Sequence, residues 1–220
     1  KGIGFGIAHT LIEAGMKVAI SGRDKESIEQ AKHALGNQNV LAIVSDVRNY
    51  EDEVKAIETI VKEFGKVDVV IANAGLGKFA PIDQLALEDW HSMIDTNLTG
   101  VFHTLKASVE QLKEHKGYYI TIASLAGTNF FANGTAYNAS KFGVVGFTQA
   151  AMLDLRNYDV KCTTILPGSV TSHFNGHVPN EKDAWKIQPE DMGQLIVDLL
   201  KMNANVLPSK IEIRPTKTTL

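Results

Sequence analysis

Cysteine is almost missing from this 220-residue sequence, where Cys162 stands alone. No intrachain disulfide can form, and one thiol has no companions for a metal site. Cys162 lies in the apolar run 160–166, where a buried structural thiol is expected. Long apolar runs are also lacking: none reaches the ~18 residues of a membrane span, and no signal-peptide pattern is visible. Nor is there an excess of one charge, since 22 Lys and Arg stand against 25 Asp and Glu. The basic patch that suits nucleic acid or an anionic membrane surface is therefore absent, and neither is expected as a partner. A reducing, cytoplasmic setting is the default expectation. What remains is ordinary for a globular protein: 44% hydrophobic and 21% charged residues. The length suits one domain spanning residues 1–220.

Short apolar runs alternate with amphipathic stretches along the chain. Strands are expected at 17–21, 40–44, 67–72, 118–123, 160–166 and 211–214. Most are apolar at consecutive positions, the mark of strands buried on both faces of a parallel sheet. Helices are expected at 3–14, at 24–35 behind an Asp24 cap, and at 49–64 behind an Asn49 cap. Longer ones follow at 87–115, with a possible break, at 137–157 and at 189–202, where Pro189 suits a first turn. Strict alternation predicts an α/β fold: a doubly wound, Rossmann-type, mostly parallel sheet in three αβα layers. Ligands of such sheets bind at the carboxyl ends of the strands.

The glycine turn Lys1-Gly2-Ile3-Gly4 has no strand ahead of it in this sequence. A phosphate-binding turn needs a strand feeding it and a helix leaving it. A further apolar strand and an initial glycine are therefore expected ahead of Lys1, at the centre of the sheet. Gly2 and Gly4 would let backbone approach a pyrophosphate at the helix start, although glycines at helix starts are as often plain turn residues. At the end of the next strand Ser21-Gly22-Arg23 carries no carboxylate. An acid there would hold a ribose 2′-hydroxyl, whereas a basic residue accommodates a 2′-phosphate. Arg23, with Lys1 as a second cation, reads as such a site, and either alone would be an ordinary solvated cation. Asp46-Val47 follows the run 40–44 and Asn73-Ala74-Gly75 the run 67–72. The first pair can serve an adenine ring and its amino group; the small residues of the second suit close passage of a cofactor, or a turn.

Tyr137 and Lys141 stand four apart, on one face of a helix. A free tyrosine titrates near pH 10, and a neighbouring cation favours the phenolate and lowers that value. The pair is a credible general acid/base, although such pairs are also common on surfaces. Ser124 follows an apolar strand, where it can donate to a substrate oxygen or merely form a loop. Asn97 is polar within an apolar helical stretch, where it can bond backbone, hold a water or mark a kink.

Together these residues resemble the short-chain dehydrogenase/reductase family, in its compact single-domain branch, over essentially the whole sequence. Gly2-Ile3-Gly4 is similar to the second half of the family's glycine motif, and Asn73-Ala74-Gly75 to its N-A-G segment. Asn97, Ser124, Tyr137 and Lys141 fall in the order of its catalytic tetrad, and Pro167-Gly168-Ser169-Val170 matches the segment facing the nicotinamide. The resemblance implies that Tyr137 exchanges a proton with the substrate oxygen, with Lys141 lowering its pKa and holding the nicotinamide ribose. It further implies that Ser124 orients that oxygen and Asn97 anchors a relay water. Lys1 and Arg23 look like the NADP(H)-preferring pattern, with NAD(H) less favoured. Ser172 stands where the family often has a threonine for the carboxamide. No metal is implied. A homodimer or homotetramer through the two long helices is implied, although the ending at 211–216 lacks the D-G-G segment of many tetramers.

The expected activity is hydride transfer between nicotinamide and a small carbonyl or alcohol substrate, as in a ketone or aldehyde reductase. Reduction of a 3-oxoacyl thioester on a carrier protein is an alternative, and a non-catalytic dinucleotide-binding sensor or scaffold is another. Leu125, Phe79, Phe130, Phe131 and Phe174 are candidates to line an apolar pocket or to fill core. His173, Phe174 and Trp185 belong to the short segment 171–188, which is expected to cover the substrate.

Overall fold

A computed structural model describes residues 2–36 and 38–218. Six parallel strands alternate with helices: α1 (Ile3–Glu13), β1 (Val18–Gly22), α2 (Lys25–Ala34), β2 (Val40–Val44), α3 (Tyr50–Phe64) and β3 (Val69–Ala72). Then come α4 (Leu87–Ile94), α5 (Gly100–His115), β4 (Tyr118–Ile122), α6 (Thr135–Leu155), β5 (Lys161–Pro167), α7 (Pro189–Leu200) and β6 (Lys210–Ile213). All six expected strands form, and each expected helix is present within a few residues of its predicted ends. The capping chemistry is as anticipated: Asp24 accepts from the Ser27 N–H at 2.8 Å, and Asn49 from the Glu51 N–H at 3.0 Å. The predicted break in the long stretch 87–115 is a π-helical segment at Asp95–Thr99, with Asn97 at its middle.

The strands form two sheets, β1-β2 and β3-β4-β5-β6. β4 and β5 are the hydrophobic centre, where Tyr119, Ile120, Cys162, Ile165 and Leu166 are fully buried. Their flanks separate two cores, one under α5 and α6 and the other under α1 and α7. Burial pushes the Cys162 thiol up to about 12, so it stays protonated as an inert packing group. Between β1 and β3 lies a cavity of about 290 Å³, lined by Ala19 and Ile20 on one side, Ile71 and Ala72 on the other, and covered by Ile7, Ala8 and Leu11 of α1. Among the described residues no helix is long and apolar enough to cross a membrane, and no group of three or more His, Cys, Asp or Glu could hold a metal.

α1 and α7 approach closely because glycine lies at the contact on both sides. A Cβ on Gly6 would fall 2.5 Å from the backbone carbonyl carbon of Pro189, and one on Gly193 would strike Thr10. Backbone at the first turn of α7 cannot yield as a flexible side chain would. Gly6→Ala is therefore expected to destabilise the fold by about 1–3 kcal/mol through overpacking, despite the better helix propensity of alanine. At about 2–4 °C per kcal/mol for a chain of this size, a thermal melt should read a lower Tm. An unchanged or higher Tm would show that the two helices can separate at no cost.

Candidate active site

Three strand ends and one helix start converge on a cavity of about 340 Å³. Its walls carry Ile3 of α1, Asn73 and Gly75 after β3, Ser124 after β4, Tyr137 and Lys141 of α6, and Pro167, Gly168, Val170 and Ser172 at and after β5. Seven of the predicted cofactor-side residues and three of the predicted tetrad are thus brought to one hollow. The fourth, Asn97, lies directly behind it, fully buried.

Asn97 sits at the middle of the π-helical segment Asp95–Thr99. Its side-chain oxygen accepts from the Leu76 N–H at 2.8 Å, while its amide donates to the Leu76 carbonyl at 2.9 Å and to the Ser140 hydroxyl at 3.0 Å. Both backbone groups of Leu76 are therefore held by one side chain. This fixes the loop after β3, so that a Cβ added to Gly75 would lie 3.4 Å from the Asn97 oxygen and 3.5 Å from the Lys141 amine. Of the roles open to Asn97, backbone bonding and a helix irregularity are both present.

Ser124 is extended at φ −175° and caps a single 3-10 turn, accepting from the Ala126 N–H at 3.1 Å. The loop behind it is tied to the catalytic helix by Asn138, whose amide donates to the carbonyls of Ala126 and Asn129, both at 2.7 Å. Asn138 was not singled out from the sequence. Its signal there is only an amide directly after Tyr137.

The electrostatics correct one expectation. The Tyr137 pKa is not lowered on balance: burial raises the phenol above its ordinary value of 10, and the nearby Ser124 hydroxyl opposes this in part. Lys141 lies at the face of the Tyr137 ring, 5.9 Å from its centroid, and donates to the Ile122 carbonyl at 3.0 Å. Burial lowers this ammonium from 10.5 to about 8. A proton is thus held weakly on the amine and tightly on the phenol.

At the other end of the groove, Gly2 starts α1 with φ 77°. It offers no side-chain cap, and the first turn has no acidic residue, so the N–H groups there are left to an anion. A Cβ on Gly4 would lie 2.6 Å from the Asn73 side-chain amide, which would have to move aside. Arg23 is exposed at the tip of β1 and close enough to help lower the Asp46 pKa, although Arg48 is the main cause. Lys1, the second expected cation, lies outside the described residues. Asp46 accepts from Arg48, whose Nε lies 3.0 Å from both carboxylate oxygens. Arg48, two residues on from the aspartate, was overlooked. Val47 packs against Gly100, where a Cβ would lie 2.7 Å from its methyl, and its carbonyl faces His103 Nδ1 at 2.9 Å. Taken together, the open helix start, the glycine cradle, the Arg23 cation and the strand-end cavity fit a dinucleotide.

The segment 171–188 arches over the cavity. Its ends are closed by a parallel bridge between Val170 and Ile187. Inside it, buried Asp183 accepts from His177 Nε2 at 2.6 Å and from the Asn180 N–H at 3.0 Å, and pairs with Lys186 at 2.5 Å. Lys186 first, then His177, holds this carboxyl far below the usual range. None of the three was singled out from the sequence, although Asn180 and Asp183 carry the spacing of a capping box, which forms. Ser172 lines the cavity, with its hydroxyl accepting from the Phe174 N–H at 3.3 Å. His173 and Trp185 do not line the cavity, and Phe130 stacks on Phe142 outside it, with centroids 5.2 Å apart.

The pattern shared by the short chain dehydrogenases matches residues 1–183. The chain belongs to that family. This short-chain dehydrogenase is an oxidoreductase, and relatives carry the same description. An uncharacterized oxidoreductase of Staphylococcus aureus (strain MW2) is 33% identical, over 98% of this chain and 93% of its own length. An alcohol dehydrogenase from the archaeon Thermococcus sibiricus, complexed with 5-hydroxy-NADP, superposes with a TM-score of 0.91 at 29% identity, covering 100% of this chain and 94% of that one. The closed form of a serine dehydrogenase complexed with NADP+ reaches 0.87 at 30% identity, covering 96% and 90%.

The buried Lys141 of this dehydrogenase gives a stability prediction. Its folded pKa lies below the unfolded value, so between about pH 8 and 10.5 the unfolded chain binds more protons than the native one. Stability from this group therefore rises with pH across that window. Lys141→Met should raise the Tm near neutral pH and abolish that rise, as read by melts from pH 7 to 10.5. A lower Tm for the variant at pH 7 would mean that the bond to Ile122 outweighs the burial of charge.

Proposed function

We propose that this short-chain dehydrogenase reduces the carbonyl of a small ketone or aldehyde with NADPH, or runs the reverse oxidation of an alcohol with NADP+. The observation that carries the reading is the placement of Tyr137, Ser124 and Lys141 in one cavity that runs to the open start of α1. The nicotinamide, when bound, supplies or takes up the hydride. Everything else falls to the chain.

Ser124 and Tyr137 line the same cavity and can both donate to one substrate oxygen, which polarises the carbonyl where negative charge develops. The raised Tyr137 pKa keeps the phenol protonated at neutral pH, so it enters reduction as the acid. Lys141 then has two tasks. Its ammonium stabilises the phenolate left behind, and with a pKa of about 8 it can pass a proton on near neutral pH. Asn97 and Asn138 are positioning residues, the first holding the loop after β3 and the second the Ser124 loop. Val170 and Ser172 would face the nicotinamide, with Gly2, Ile3 and Gly4 at the pyrophosphate. Arg23 would meet the 2′-phosphate through its planar fork of donors.

Removal of the phenol tests the chemistry. Tyr137→Phe should cost about 10²–10⁴-fold in kcat for carbonyl reduction, with the fluorescence-measured Kd for NADPH nearly unchanged. Full turnover by that variant would end the assignment of Tyr137. The cofactor reading has its own test in a titration of NADPH against NADH. The wild type should bind NADPH more tightly, and Arg23→Ala should bring the two affinities together. Equal affinities in the wild type, or an unchanged ratio in the variant, would remove Arg23 from the 2′-phosphate site.

A further inference from the structure

Three phenylalanines from separate parts of the chain meet at the catalytic phenol. Phe79 comes from the loop after β3, Phe131 from the segment before α6, and Phe174 from the arch over the cavity. The Phe79 ring stands edge-on to Tyr137, with centroids 5.5 Å apart at 76°. Phe174 lies 5.7 Å and Phe131 6.4 Å from the same ring, and Phe79 bridges the other two at 5.6 and 6.5 Å. Glycines make room for them. A Cβ on Gly77 would lie 2.5 Å from Phe174 and 2.9 Å from Phe79, and one on Gly134 would strike Phe131.

This cluster is open to solvent although it borders the active cavity. Phe79 is 40%, Phe131 46% and Phe174 37% exposed, while the tyrosine they surround is 9% exposed. Exposed apolar rings gathered at one place mark a surface that a ligand covers. No charged side chain takes part in the cluster. Of the basic side chains that line the cavity beside it, Lys141 donates to the Ile122 carbonyl, and His177 and Lys186 are turned to Asp183, so all three are already partnered. The wall next to the phenol is therefore apolar and quadrupolar, and the partner that suits such edges and faces is another flat ring.

We propose that the three rings form the subsite for an aryl group carried by the carbonyl substrate, so that the enzyme prefers aryl ketones and their benzylic alcohols. This rests on the functional reading above and names its substrate class. With the substrate oxygen on Tyr137 and Ser124, one substituent of the carbonyl must lie beside the phenol ring, among Phe79, Phe131 and Phe174. In the reduction, ketone, NADPH and a proton yield secondary alcohol and NADP+. The new C–H bond takes its electron pair from the nicotinamide hydride, the new O–H bond takes the Tyr137 proton, and solvent restores that proton.

The test compares a phenyl methyl ketone with a dialkyl ketone of similar length, using NADPH and the full chain. The wild type should favour the aryl substrate by about tenfold or more in kcat/KM, mostly through KM. Phe79→Leu keeps an apolar side chain and guards against a simple loss of folding, which circular dichroism checks. It should lower kcat/KM for the aryl ketone several-fold more than for the dialkyl ketone, and leave the Kd for NADPH as in the wild type. Equal preference in the wild type, or equal losses on both substrates in the variant, would overturn the aryl subsite and leave the reductase reading standing. Tight NADPH binding with turnover of neither ketone would do the same. Failure to bind NADPH would overturn both.

Discussion

The site depends on the bonds that Asn97 makes inside the helix that runs between β3 and β4. One side chain holds both backbone groups of Leu76 and the Ser140 hydroxyl, and so joins the loop after β3 to the helix of Tyr137 and Lys141. An asparagine can do this only if its three bonding directions point at three partners. The π-helical turn at Asp95–Thr99 supplies that aim by inserting an extra residue into the ladder. A fully buried amide left unsatisfied would cost about 1–3 kcal/mol, so the arrangement holds as a unit or not at all.

Around that pin the geometry is built from small residues and short bonds rather than from bulk. Gly75 lies against Asn97 and Lys141, while Gly4 against Asn73 and Gly100 against Val47 are packed too closely for a methyl without a shift of the neighbouring side chain. Asn138 adds a second pin from the same helix to the Ser124 loop. The two asparagines act on opposite walls of the cavity, one beside β3 and one beside β4, and α6 is common to both.

Most of this was legible in the sequence. Consecutive apolar positions in the runs 118–123 and 160–166 do mean strands buried on both faces, and Asp24 and Asn49 do cap their helices. Chemistry borne by residues at fixed spacing was readable too, as with Tyr137 and Lys141. What could not be read are effects that depend on distance through the fold. The acidity of Tyr137 turned on burial rather than on its neighbour four residues on, because the Lys141 amine is directed to the Ile122 carbonyl. Arg48 took up Asp46, and Asp183 gathered His177 and Lys186, through side-chain reach that no periodicity encodes. Among the five candidate pocket residues, Phe79, Phe131 and Phe174 gathered at the phenol, while Phe130 turned to Phe142.

The amine of Lys141 lost its water when the chain folded, and a main-chain carbonyl took the place of that water. A polar ligand entering the cavity therefore meets a cation that is already dehydrated. The cost of stripping it is borne by the stability of the empty protein and not by the affinity of the ligand. Binding then relieves a strain that folding put in place. For a group of this kind the fold and the ligand share one free-energy balance, so occupancy of the cavity and resistance to unfolding should rise together.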